Sequence, residues 1–240
     1  MNVWIAALAA AAGYFLGSVS FARLVSRWVA PETDITDLKV AVLGTDEAVD
    51  VGVVGANAAS MILGPRVGCA VALMDMLKVA LPMLAFRFIF PDQVYFLIVS
   101  VAGLIGHNWP IYYQWAGGRG FSVIFASFLI VDWLGPVVTV IVGLLLGMVV
   151  FRNLMLAYGS WLWLMIPWIW LRTHDPVYLG YVIVVNLIFA IATLPETRTI
   201  LRYRREGKLE AYLDGLTASS PRWRGMKKLA DRLDVFRRAR

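Results

Sequence analysis

Long apolar runs separated by short polar breaks fill the first 194 residues. Residues 1–22 carry no charged side chain, and a stretch of that length is enough for a first helix to cross a hydrocarbon layer of about 30 Å. It lacks a basic leader region, so it reads as a retained helix. Arg23 and Arg27 close it. Residues 31–64 are polar, with five acids between Glu32 and Glu47 and then Asp50, and read as a loop. A second helix is expected over 67–90, despite Asp75 and Lys78, and Pro91-Asp92 is a turn. An uncharged third run covers 93–113. Residues 121–151 contain one charge, Asp132, followed by Gly135-Pro136. Proline disfavours helix in the residue before it, so the run splits there into two short helices. A sixth run covers 153–171 and a seventh 177–194. The pattern predicts an all-α polytopic membrane protein of about seven transmembrane helices.

Composition agrees. The chain is 60% hydrophobic and only 16% charged, against roughly 25% for soluble domains. Its mean hydropathy is +0.71. A single cysteine, Cys69, excludes an internal disulfide and a cysteine metal cluster, and two histidines argue against zinc. No metal or cofactor is expected. Charge is unevenly placed. Residues 195–240 hold thirteen of the 22 Lys and Arg but six of the 16 acids. Arg23, Arg27, Lys39, Arg66, Arg119, Arg152 and this tail fall on one side of the seven-span scheme, and Arg87 and Arg172 on the other. The positive-inside rule then places the N-terminus outside and the C-terminus in the cytoplasm. The division is a membrane domain, 1–194, and a basic tail, 195–240. Helices over 197–216 and 223–238, broken at Pro221, suit the anionic surface of a cytoplasmic leaflet; a solvated charged tail is the alternative. No nucleic-acid motif accompanies the charge, so nucleic acid is not expected as a partner.

Chemistry concentrates at one stretch, Gly106-His107-Asn108-Trp109-Pro110 through Gly117-Gly118-Arg119-Gly120. Glycines bring backbone N–H groups close to an anion, and an arginine adds a fork of donors suited to phosphate. His107 serves either as a donor or base or as a structural cap. Asp75 and Lys78, three apart, share a helix face, where Lys78 meets an anionic substrate or the two neutralise each other. Ser18 and Ser20 end the first helix on the same side. Gly52, Gly55 and Asn57 form a second glycine-bearing loop. These pieces predict a membrane-embedded pocket for a phosphorylated substrate.

Three stretches resemble the bacterial acyl-phosphate-dependent glycerol-3-phosphate acyltransferases, the PlsY family. Gly17-Ser18-Val19-Ser20-Phe21 is similar to the family's Gly-Ser-x-Pro-Phe. Asp75-Met76-Leu77-Lys78 with Leu81-Pro82 is similar to its Asp-x-x-Lys…Pro. Gly106-His107-Asn108-Trp109-Pro110 with Gly117-Gly118-Arg119-Gly120 is similar to its Gly-His-x-x-Pro…Gly-Gly-Lys-Gly. The resemblance implies the seven-span fold in a bacterial inner membrane, with site loops facing the cytoplasm. It implies acyl transfer from acyl phosphate to glycerol 3-phosphate, without metal or cofactor, giving lysophosphatidic acid for phospholipid synthesis. Arg119, His107, Ser18 and Lys78 are the implied catalytic set. Gly117, Gly118, Gly120, Gly52, Gly55 and Asn57 are the implied substrate contacts, with Arg66 and Arg198 as replacements for motif residues this chain lacks. The second loop departs from the family, with Val51, Val53 and Met61 where serine, asparagine and arginine are usual, and no histidine follows the last span. The alternative reading is a family member that has lost catalysis and binds lipid or a partner enzyme.

Overall fold

A computed structural model of the chain describes residues 1–238, with side chains through Arg232. The fold is almost wholly helical. The first run breaks at its serines into α1 (Val3–Gly17) and α2 (Phe21–Val29). The side chain of Asn2 caps α1, accepting from the Trp4 amide at 2.9 Å. Next come α3 (Ala56–Leu63), α4 (Pro65–Ile89) and α5 (Tyr95–Asn108). The predicted split at Asp132 separates α6 (Phe121–Val131) from α7 (Leu134–Leu145), which continues through a π-helical turn, Leu146–Val150. Asp132 caps α7 by accepting from the Leu134 amide at 3.2 Å, and it anchors α8 through Trp168 Nε1 at 2.8 Å and Arg172 Nε at 3.3 Å. The last apolar helices are α8 (Leu154–Thr173) and α9 (Pro176–Ala192).

Among the described residues three helices are long and apolar enough to cross a membrane: α1 continued through α2, then α4 and α8. A fourth span is reached if α9 and α10 (Leu194–Arg205), bent by 53° to each other, are taken as one. At 14 residues α5 is shorter than its apolar run, because the chain turns at Trp109-Pro110. The core lies among α4, α5, α6, α8 and α9, where Val79, Met83, Leu104, Phe128, Leu162 and Met165 are buried. Leu8, Leu81, Leu145, Leu171 and Leu187 point outward and are exposed, as expected of side chains that meet lipid rather than water. The most extensive helix contact is α1 on α5. A side chain at Gly17 would overlap the Gly103 carbonyl, and one at Gly13 the Val99 carbonyl, so small residues set this close approach.

The loop expected over 31–64 carries structure of its own. Strands β1 (Lys39–Ala41) and β2 (Ala48–Asp50) form an antiparallel hairpin with Val40 opposite Val49, and α3 follows. Three-residue strands lie below the length at which alternation is legible, which is why periodicity missed them. The single helix expected over 197–216 is broken at Gly207, with φ of +69°, into α10 and α11 (Leu209–Ser219). Pro221 opens α12 (Pro221–Arg238), at the break expected there. These tail helices fold onto the protein. Tyr203 and Tyr212 stack at 5.2 Å and are buried with Val40, Val42 and Val49 of the hairpin. A side chain at Gly215 would overlap the Ala41 carbonyl.

Candidate active site

The three motif stretches meet at one buried node. The end of α1, the middle of α4 and the end of α5 deliver Ser18, Asp75 with Lys78, and His107. Lys78 Nζ lies 2.8 Å from Asp75 Oδ1, donates to the Val19 carbonyl at 2.7 Å and lies 2.9 Å from His107 Nδ1. An ammonium has only donors, so Nδ1 must accept, and the imidazole carries its proton on Nε2. That Nε2 edge faces Gly118: a side chain there would overlap it. Of the two roles expected for Asp75 and Lys78, the geometry shows the neutralised pair. The pair neutralises itself and also fixes the tautomer of His107. Ser18 Oγ donates to the Tyr14 carbonyl at 2.8 Å, so it secures the end of α1 while lining a recess of about 10 Å³ beside the node.

Above the node runs the glycine loop. Gly118 N–H donates to the His107 carbonyl at 3.1 Å, and Val54 N–H donates to the Gly117 carbonyl at 3.1 Å, which ties the second loop to the third motif. A side chain at Gly117 would overlap the carbonyls of His107 and Asn108. Gly120 has φ of +78°, a left-handed conformation that glycine adopts without strain, and it turns the chain into α6. The first-turn N–H groups of α6 have no acceptor within the helix and lie beside a cavity of about 370 Å³ lined by Gly120, Phe121 and Ser122.

His107, Gly118 and Arg119 line the same cavity, as do Gly55 and Asn57. Gly52 lies outside it and serves the hairpin exit, with φ of +57° and its N–H held by Asp50 Oδ1 at 2.9 Å. Asn57 Nδ2 contacts Met61 Sδ at 3.5 Å. Arg66 and Arg198 are exposed and do not line the cavity. Arg66 sits on the first turn of α4. Arg198 is two residues from Glu196 on α10, about 200° around the helix.

Sequence reasoning passed over the residue that does reach the site from α10. Glu196 accepts from Arg119 Nε at 2.6 Å, and its second oxygen, Oε2, is buried without a protein partner. Tyr158 of α8, Tyr212 and Leu216 of α11, and Arg222 and Trp223 of α12 complete the wall. Burial pushes the pKa of Tyr212 up, and the negative charge of Glu196 adds to this, so its hydroxyl stays protonated at neutral pH. Among the described residues no cluster of three or more histidine, cysteine or acidic side chains is arranged to hold a metal. Chemically the cavity joins a donor-rich side, made by N–H groups, Arg119 and His107, to apolar walls at Phe121, Met155, Phe189 and Leu216.

Comparison with known proteins bears on the family and the fold. A model of the glycerol-3-phosphate acyltransferase family matches residues 7–206. The chain is 29% identical over 195 residues to glycerol-3-phosphate acyltransferase 1 of Dehalococcoides mccartyi, covering 79% of this chain and 88% of that one. Its fold is similar to crystal structures of PlsY, an integral membrane glycerol 3-phosphate acyltransferase. The glycerol 3-phosphate form gives a TM-score of 0.67 at 20% identity, over 85% of this chain and 93% of that chain. The lysophosphatidic acid form gives 0.66 at 20% identity, over 83% and 93%.

Proposed function

The chain belongs to the glycerol-3-phosphate acyltransferase family, and from that premise we propose that it transfers a fatty acyl group from acyl phosphate to the 1-hydroxyl of glycerol 3-phosphate. The hydroxyl oxygen bonds to the acyl carbonyl carbon, the carbonyl–phosphate bond breaks, and inorganic phosphate leaves with the hydroxyl proton. Lysophosphatidic acid is the product. The leaving phosphate is itself a competent acceptor for that proton, so the reaction needs no protein base. In this reading seven apolar runs thread a bacterial inner membrane, with the N-terminus outside and the site loops in the cytoplasm. Residues 1–194 are the membrane domain, and the outer face of the basic tail, 195–240, meets anionic headgroups.

The observation that carries the reading is convergence: three motifs from distant stretches meet at Lys78–His107, 2.9 Å apart, under a glycine loop. Each residue then has a role. His107 Nε2–H and the N–H groups at the start of α6 donate to phosphate oxygens or to the oxyanion that develops on the carbonyl. Arg119 uses Nε on Glu196, and its terminal nitrogens have no protein partner among the described residues, which leaves the fork of the guanidinium for a phosphate. Lys78, Asp75 and Ser18 position the floor. The apolar walls take the acyl chain next to the carbonyl.

The test is acyl transfer by the purified protein in detergent with palmitoyl phosphate and labelled glycerol 3-phosphate. Product from the wild type, reduced about a hundredfold or more by Arg119→Ala, is the expected result. No product from folded, monodisperse wild-type protein would overturn the reading and leave a binder of lipid or of a partner enzyme.

A further inference from the structure

The family match ends at residue 206, yet the cavity does not. Its wall is completed by Tyr212, Leu216, Arg222 and Trp223 of α11 and α12. The extension is fastened at several points. The Leu43 amide donates to the Ala211 carbonyl at 3.2 Å, Lys208 pairs with Glu47 of the hairpin, and Trp223 packs on Tyr158 at 5.7 Å.

Arg222 is the feature of this wall that packing alone does not explain. Its guanidinium lies 4.2 Å from the centroid of the Tyr158 ring, Nη1 donates to the Tyr158 hydroxyl at 2.5 Å, and Nε is buried without a hydrogen-bond partner. Among the described residues its partners are the Tyr158 hydroxyl and the rings of Tyr158 and Trp223, all neutral. The other charges along the cavity are matched, Arg119 by Glu196 at 2.6 Å and Asp75 by Lys78 at 2.8 Å. A guanidinium held partly out of water, stacked on a ring and lacking a counter-charge has the form of an anion site awaiting its anion. Stacking fixes the plane of the fork, and with Nη1 on the Tyr158 hydroxyl and Nε buried, Nη2 is the donor left to meet a phosphate.

We propose that Arg222 binds the phosphate group of a substrate, so that the C-terminal extension completes the active site. The proposal rests on the acyltransferase reading. Both substrates carry a phosphate, and the kinetics distinguish them: a raised KM for glycerol 3-phosphate assigns Arg222 to the acceptor, and a raised KM for acyl phosphate assigns it to the donor. Arg222→Gln keeps a polar stem and a donor for Tyr158. It is expected to raise one of these KM values at least tenfold, with Arg222→Lys in between. Arg224→Gln, an exposed position on the same helix, leaves both unchanged and controls for charge. Two unchanged KM values in folded Arg222→Gln protein, whatever happens to kcat, would overturn the proposal, since a merely structural role lowers the amount of active protein or kcat. Calorimetric binding of glycerol 3-phosphate and of inorganic phosphate, without turnover, separates the two claims. Wild-type protein that binds phosphate at least tenfold more tightly than Arg222→Gln, yet makes no product, sinks the acyltransferase reading and leaves Arg222 as an anion contact. Equal binding of both anions by the two proteins sinks the role of Arg222.

Discussion

The floor and the rim of the cavity are built on opposite principles. On the floor, Lys78 reaches Asp75, the Val19 carbonyl and His107 Nδ1 within 2.9 Å, and Asp75, Lys78 and His107 are all buried. On the rim, Glu196 Oε2 and Arg222 Nε are buried without partners, and Arg119 engages one nitrogen of its fork. A buried polar group that stays unpaired costs about 1–3 kcal/mol, so a folded protein tolerates such groups chiefly where something else satisfies them. The charges of the floor are matched among themselves, Asp75 by Lys78, and Lys78 also meets His107 Nδ1, although Asn108 beside it has no hydrogen-bond partner for its side chain. On the rim only the arginine donors are groups that the proposed phosphate could complete, since Glu196 Oε2 is an acceptor. The two should therefore respond differently to the same kind of substitution.

The largest effect is expected on the floor. Lys78→Met leaves the Asp75 carboxylate buried and without its counter-charge, which destabilises by about 3–5 kcal/mol. Thermal unfolding in detergent should show a large fall in Tm. Adding Asp75→Asn should recover much of that loss without restoring acyl transfer, because neither variant fixes the His107 tautomer. Recovery of activity in the double variant would mean that the node acts only in stability. On the rim the order reverses. Arg119→Ala should lower kcat/KM by about 10²–10³, the usual range for one donor to a developing oxyanion or phosphate, with Tm close to wild type. Between them stands Gly118→Ala. The new methyl overlaps the His107 imidazole, so activity should fall by about tenfold or more, while the cost of overpacking stays at about 1–3 kcal/mol. A rim substitution that unfolds the protein, or a floor substitution that costs activity alone, would erase the distinction.

The difference also explains what could be read in advance. The floor was legible because its members lie in contiguous motifs on apolar runs, where a charge or histidine stands out: Asp75 and Lys78 one turn apart, and His107 just before a glycine loop. The turn at Asp132 and the break at Pro221 were legible for the same local reason. The rim is made by pairs far apart in sequence, Arg119 with Glu196 and Arg222 with Tyr158. Arg222 looked like one of thirteen tail cations, and nothing local marked Tyr158 as its partner. Arg66 and Arg198 were chosen as replacements by charge and proximity along the chain, but both are exposed and neither lines the cavity. Seven apolar runs were also legible as runs; their lengths as helices were not, because α5 ends at the Trp109-Pro110 turn and α6 at Asp132 rather than at the edge of the apolar stretch.

The smallest expected effect concerns how the rim is held. Lys208 and the Tyr203 hydroxyl both donate to the Glu47 carboxylate, which joins the hairpin to the start of α11. These hydrogen bonds, that from Lys208 first, hold the Glu47 pKa below the usual carboxylate range, and the bond to Glu47 raises that of Lys208. A depressed carboxylate pKa contributes stability that is complete above the unfolded value and is lost as pH falls through the folded one. The raised lysine contributes below the ordinary lysine value and is lost as pH climbs through its folded one. The link is therefore intact across the neutral range and fails on either side, first noticeably in acid. Both groups are exposed, so the contribution is small and screened by salt. Limited proteolysis at residues 206–209 is the sensitive readout. Cleavage in wild type should accelerate as pH drops below the carboxylate range, whereas Glu47→Gln should cleave faster at neutral pH and show a flatter pH dependence. If the tail carries a substrate contact, the KM for the phosphate that Arg222 binds should rise along with cleavage, while the Tm set by the Asp75–Lys78 floor stays put. A KM that ignores the loosening of the tail would separate Arg222 from the reaction and return the extension to packing alone.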